Sequence, residues 1–255
     1  MNVITRIRDH RIRARGARFY VRPAVEADLD AVIRLIDEAG HWLKTSKNTD
    51  QWNRPWPDRD SRDKRVYDGI SGGLTWVVMD GATMAATVTI ATVGDTALWT
   101  DEAQAFDAVY VHRLVIDRRY AGTGLGAELI DWAGEQGRRE QPAATSIRID
   151  VWTTNEGLHA YYRDQGFLPC GVADTKDDRP ANALFEKQLP DSPPATPRLT
   201  TRPQPSLLLA RVHAAAAASA SGQSHGGAGS RAWLPTASPL LGLVMFAWWY
   251  DQFPL

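Results

Sequence analysis

The residues best suited to chemistry form one run, Arg119-Tyr120-Ala121-Gly122-Thr123-Gly124-Leu125-Gly126, set between an alternating apolar stretch and a helical one. Glycines at such a junction permit positive φ and close backbone approach. Successive N–H groups can then converge on an anion while the helix dipole adds favourable charge. Arg119 can add a direct cation, so a phosphate-bearing ligand is the natural guest. Taken alone, a GxGxG turn also serves as plain helix entry. A dinucleotide-binding reading needs the glycines in an early parallel βαβ unit, with an acid at the end of the next strand. Here they follow a meander of hairpins. A P-loop needs Lys and then Ser or Thr after the last glycine, and this chain has Ala127-Glu128.

The elements that must position this turn can be read on both sides of it. A short strand at 19–22 precedes apolar positions Val25, Leu29, Val32, Ile33, Ile36 and Leu43, whose spacing predicts an amphipathic helix. A Trp- and Pro-rich segment leads to a short helix at about 61–70, ended by Gly72 and Gly73. Strands follow at 74–79 and 84–92, joined by the hairpin signal Asp80-Gly81. A long strand at 108–117 runs into the glycine turn, and a helix from Leu125 to about 137–139 leaves it. A strand at 146–152 precedes a second amphipathic helix, which Asn155 opens and Gly166 closes. Strands at 167–172 and 184–189 come last. The order is β-α-α-β-β-β-α-β-α-β-β, an α/β (α+β) fold. Its sheet is mixed and mostly antiparallel, locally parallel around the glycine turn, and flanked by helices.

Composition narrows the function classes. The chain has 255 residues, and its 29 Lys and Arg nearly balance 30 Asp and Glu. No global field draws it to nucleic acid or an acidic membrane. One cysteine, Cys170, excludes an internal disulfide and leaves no Cys/His grouping for a metal, which suits a reducing cytoplasm. The first 18 residues carry six arginines without the apolar run of a secretory signal. They read as a basic extension, either a solvated terminus or a nucleic-acid-binding arm. Residues 190–255 begin Pro-rich, become Ala- and Gly/Ser-rich, and read as a linker or disordered tail. The apolar end at 240–250 is far short of the ~20 residues that cross a bilayer as a helix. The expected domain is therefore 19–189.

The stretch 111–133, VHRLVIDRRYAGTGLGAELIDWA, resembles the acetyl-CoA signature of the GNAT N-acetyltransferase superfamily. Arg119, Gly122 and Gly124 match its Arg/Gln-x-x-Gly-x-Gly/Ala pattern, and Leu114 and Ile116 occupy the apolar positions before it. Downstream, Asn155 and Ala160-Tyr161-Tyr162-Arg163-Asp164-Gln165-Gly166-Phe167 resemble the family's late segment, with a Tyr four residues before Gly-Phe. The resemblance covers about 170 residues, including the element order. Ala121 departs from it, standing where many members carry a basic residue; Arg118 or Arg119 can compensate.

The resemblance implies transfer of an acetyl group from acetyl-CoA to a primary amine by direct attack, without metal and without a cysteine intermediate. It places the cofactor's pantetheine arm between the strands at 108–117 and 146–152. Backbone of Leu114, Val115 and Ile116 would hold the acetyl end, with one N–H as oxyanion donor. Gly122, Thr123, Gly124, Leu125 and Gly126 would cradle the phosphates with Arg119. Tyr162 would protonate the departing thiolate, unless both tyrosines simply pack. Asn155 either contacts the cofactor or caps its helix. For the general base, Glu102, Asp107, His112 and Asp150 lie near the cleft. Strand alternation puts His112 on the face of Leu114 and Ile116, where it reads as a core histidine or a catalytic one. Trp42, Asp50, Trp52 and Trp56 could form an aromatic, partly acidic wall for a cationic amine, or could only cover the sheet. The acceptor, a small molecule or a peptide, is not specified, and a homodimer stays open. A non-catalytic acyl-CoA-binding module acting on a protein partner is the alternative from another class.

Overall fold

The computed structural model describes residues 19–99, 107–174, 181–191 and 199–201. The expectations for the basic start and for the apolar end at 240–250 lie outside them. Strand β1 is Phe19–Pro23, followed by a 3-10 turn at Glu26–Asp28. Helix α1, Leu29–Lys47, buries Val32, Leu35, Ile36 and Ala39 on one face and stops where Asn48 turns left-handed. Apolar spacing puts Val25 inside this helix; its extended backbone places it just before the 3-10 turn instead.

Helix α2, Arg59–Ser71, starts two residues earlier than its apolar spacing suggests. The Asp58 carboxylate accepts a 2.7 Å bond from the Ser61 N–H and fixes the N-terminus there. Strands β2, Thr75–Asp80, and β3, Thr83–Ala91, form the expected hairpin. Its loop is Gly81-Ala82 rather than Asp80-Gly81, because Asp80 still pairs with Thr83. Strand β4, Ala108–Ile116, leads through a 3-10 turn at Arg118–Tyr120 to helix α3, Leu125–Glu140. Then come β5, Ser146–Trp152, helix α4, Glu156–Asp164, and strands β6, Leu168–Ala173, and β7, Asn182–Gln188.

A last strand, β8 at Leu199–Thr201, pairs parallel with β1, Phe19 facing Leu199. By composition these residues belong to the tail, because three residues between prolines show no alternation. Leu199 is nonetheless buried in the core, and β8 covers an edge that β1 would otherwise expose. The eight strands run in the order β6-β7-β5-β4-β3-β2-β1-β8. All pairs are antiparallel except β4 with β5 and β1 with β8.

Strand alternation sends side chains to two cores. Val78, Val88, Val109 and Ile149 pack under α3 with Leu125, Leu129, Ile130 and Ala133. On the opposite face Val77, Met79 and Val115 meet Val32, Leu35 and Ile36 of α1 with Val66 and Ile70 of α2. Helices on both faces leave one sheet buried between two layers. If β8 belongs to this fold, Leu199→Ala costs about 2 kcal/mol in urea unfolding; a change below about 0.5 kcal/mol would show that the strand adds nothing.

Candidate active site

Parallel pairing of β4 with β5 covers only Ala108, Val109 and Tyr110 against Ser146, Ile147 and Arg148. Both strands continue well past it, to Ile116 and Trp152. β3 holds the outer edge of β4, and β7 holds that of β5 along its whole length. The two strands therefore part inside the sheet. The cause is a bulge: Thr89 pairs with His112 but Thr87 with Val115, so three steps on β4 answer two on β3. The extra residue falls at Arg113-Leu114, where Arg113 takes a φ of 49°. A bulge bends and twists its strand, and here it swings the second half of β4 away from β5. The closed end is bolted by Arg148, whose Nη1 donates to the Tyr110 hydroxyl at 3.2 Å and Nε to Glu186 Oε2 at 2.7 Å.

The bulge also overturns the facing expected for His112. Leu114 and Ile116 pack against the α3 core and Val115 against the α1/α2 core, whereas the extra residue keeps His112 off the face of Leu114 and Ile116. His112 Nδ1 lies 3.5 Å from Asp150 Oδ1, both side chains partly exposed. It is a cleft residue beside a carboxylate, not a core histidine.

At the open end, the glycine turn is built as expected. Gly122 and Gly124 take φ of 76° and 84°, and Gly124, the residue that precedes α3, has no side chain to cap the helix. Thr123 is buried and shapes the turn, its hydroxyl donating to the Tyr120 carbonyl at 2.7 Å and accepting from the Leu125 N–H at 3.4 Å. Leu125 is a core side chain. The helix is seated so closely that a Cβ at Gly137 would run into the Val109 side chain. Arg119 is held by Asp117, Nη2 at 2.5 Å from Oδ2 with its remaining surface exposed, and that hydrogen bond raises its already high pKa. Arg118 stacks over Trp42, 3.7 Å from the ring centroid.

Both tyrosines of α4 reach this region. Tyr162 is buried in the α3-side core, edge-on to Tyr161 and Phe167. Burial first, then Tyr161 and the charge of Asp150, push its phenol well above the ordinary value, so it stays protonated. The Tyr161 hydroxyl points at the start of α3, where a Cβ on Gly126 would meet it at 2.5 Å. Asn155 is an N-cap: its Oδ1 accepts from the Leu158 N–H at 3.2 Å and its Nδ2 donates to Gln51 Oε1 at 2.6 Å. Both ends of the buried carboxamide are engaged within the chain, which favours capping over cofactor contact.

On the α1/α2 side of the gap lies a pocket of about 180 Å³. Trp52, Trp56 and Trp152 line it with Arg54, Arg62, Arg65 and Arg113. Of the four residues expected to form an aromatic wall, Trp52 and Trp56 line this pocket, and the charged residues lining it are arginines. Trp42 is engaged by Arg118, and exposed Asp50 lies 3.4 Å from Lys44; neither lines the pocket.

A sequence profile of the acetyltransferase (GNAT) family matches residues 41–167. An uncharacterized N-acetyltransferase of Bacillus subtilis (strain 168), YesJ, is 32% identical over 174 residues, covering 67% of this chain and 91% of the relative. The chain belongs to the GNAT acetyltransferase family. A GNAT acetyltransferase from Listeria monocytogenes 4b F2365 superposes with a TM-score of 0.54 at 28% identity, over 68% of this chain and 96% of that one. A second, from Streptococcus agalactiae 2603, gives 0.51 at 19% identity over the same shares and attests the fold.

In this GNAT N-acetyltransferase, Leu114–Ile116 and the His112/Asp150 pair lie beyond the point where β4 and β5 part, the glycine turn follows β4 with the Tyr161 hydroxyl against it, and Tyr162 packs in the core beside Tyr161. Sequence reasoning did not place Trp152 or the four arginines at the site; they come from four separate segments, and only the fold joins them. The Tyr161 contact is testable by a double-mutant cycle. Gly126→Ala should destabilise by about 1 kcal/mol, and most of that should vanish in a Tyr161→Phe background. Additive changes in thermal unfolding would mean that the hydroxyl is not where Gly126 leaves room for it.

Proposed function

We propose that this enzyme binds acetyl-CoA in the gap between β4 and β5 and transfers its acetyl group to a primary amine in the tryptophan-lined pocket. The observation that carries the reading is the strand edge inside the sheet: among the described residues, the second half of β4 beyond Tyr110 has no partner strand on its β5 side. An extended, amide-bearing arm can add there as a strand would. The glycine turn lies at the end of β4, where the phosphates of the same ligand would meet the N–H groups opening α3. Backbone of Leu114, Val115 and Ile116 would grip the acyl end, and an N–H among them would polarise its carbonyl.

When bound, acetyl-CoA supplies a thioester whose carbonyl accepts the amine. Protein groups handle the protons. An amine with a pKa near 10.4 is only about 0.04% neutral at pH 7, and removing its proton costs about 4.6 kcal/mol. His112, held beside Asp150, accepts that proton on the α1/α2 side. Tyr162, packed on the α3/α4 side, donates its phenolic proton to the departing sulfur. The sheet thus separates acid from base. Cysteine plays no part, and a reducing cytoplasm suits the lone, exposed Cys170.

The test is calorimetric titration with acetyl-CoA, CoA, ATP and NAD, joined to a transfer assay. Micromolar binding selective for the CoA species is expected, abolished by Gly124→Glu. Tyr162→Phe should keep the acetyl-CoA Kd and lower kcat about 10²-fold. His112→Ala should lose activity at pH 7 and recover much of it at higher pH, where more amine is already neutral. An unchanged kcat in Tyr162→Phe would remove the phenol from the mechanism, and folded protein that does not bind CoA would defeat the whole reading.

A further inference from the structure

The acceptor pocket is the least explained feature of the site, and its charge runs against the simplest guess for an enzyme acting on amines. Four guanidinium groups line it, from the α1–α2 connection (Arg54), α2 (Arg62, Arg65) and the β4 bulge (Arg113), with no carboxylate among the described residues that line it. Arg62 is the informative one. It is only 8% exposed, Nη1 donates to Asp37 Oδ1 at 2.7 Å, and Nε lies 2.5 Å from Asp63 Oδ1. Yet Nε and Nη2 are both buried with no hydrogen-bond partner among the described residues, the Nε–Asp63 approach being an ion pair without hydrogen-bond geometry. Asp37, which Arg62 shares with Arg59, serves Nη1 alone. An unmade bond on a buried cation is costly. Arg62 lines the pocket beside three further arginines, and a planar guanidinium is well shaped for an anionic oxygen there.

We propose that the acceptor is a small amine that also carries a carboxylate, an amino-acid-like molecule rather than a polycation. This rests on the acetyltransferase reading of the gap. Arg113 follows His112 in the chain, and Trp152 lies two residues beyond Asp150 on the same face of β5. The pocket's inner end is therefore where the amine must lose its proton. Its outer end is the α2 side, with Arg62 and Arg65, the latter donating to the Trp56 carbonyl. A molecule with its amine at His112/Asp150 and its carboxylate toward Arg62 spans the pocket, its apolar body between Trp52, Trp56 and Trp152. The pocket's size suits a small molecule. A polyamine would instead bring positive charge against four arginines, a like-charge penalty.

The experiment is an acetyl-transfer screen with matched probes: the proteinogenic amino acids and the ω-amino acids from β-alanine to 6-aminohexanoate, each beside its primary amide, with spermidine and kanamycin as polycations. At least one carboxylate probe is expected to exceed its own amide by about tenfold or more in kcat/KM and to exceed both polycations. In Arg65→Gln and in Arg54→Gln that preference should fall toward one while the acetyl-CoA Kd is retained. These two variants leave the buried Arg62 cluster in place and so guard against a folding failure in Arg62→Met. Amides or polycations that match the carboxylates would overturn the inference and leave the acetyltransferase reading standing. The inference falls equally if acetyl-CoA binds but no carboxylate probe is acetylated. Absence of acetyl-CoA binding would instead bring down the reading beneath it.

Discussion

One extra residue in β4 sets the site. With Arg113 forced to a left-handed φ, the strand must bend, and the parallel ladder to β5 ends after three pairs. A non-glycine residue in that region is disfavoured by about 1 kcal/mol or more. The surrounding sheet over-determines it, since β3 grips β4 on one side while β7 grips β5 on the other. The outcome is a strand edge kept inside a buried sheet, where hydrogen-bonding groups wait without exposing the protein to edge-to-edge association.

The remaining features depend on where that edge opens. Arg148, joined to Tyr110 and Glu186, holds the closed end so that the bend is expressed only beyond Tyr110. Gly137 lets α3 lie directly on Val109, which brings the helix N-terminus and its glycine turn to the open end. Asn155 caps α4 and ties it to Gln51, linking the helix that carries Tyr162 to the segment that carries Trp52. The phenol lies on one side of the sheet and the imidazole on the other, which suits a reaction whose leaving group and incoming amine each need a proton moved.

Much of this was legible in the sequence, and the limits have physical causes. Strands and helices with a strong period, such as 146–152 and the helix leaving Leu125, were readable because burial of one face writes itself into the spacing. The glycine turn was readable because positive φ restricts the residue type. The bulge was not, since Arg113 carries no such mark, and without it the alternation sends His112 to the wrong face. Three residues of β8 carry too little pattern to count as a strand, though Leu199 is buried. The basic pocket was hidden for a different reason: its arginines are separated in sequence, and their summed field exists only after folding. Aromatic content and Asp50 suggested a partly acidic wall, but Asp50 lies beside Lys44 and does not line the pocket.

The central claim is that the opened edge of β4 is the ligand-binding strand, and hydrogen–deuterium exchange with and without acetyl-CoA tests it most directly. Slowed exchange in peptides covering 111–116 and 122–126, with little change in β1 or β2, is the predicted result. Tight acetyl-CoA binding that leaves both segments exchanging as before, and protects some other part of the molecule, would contradict the account.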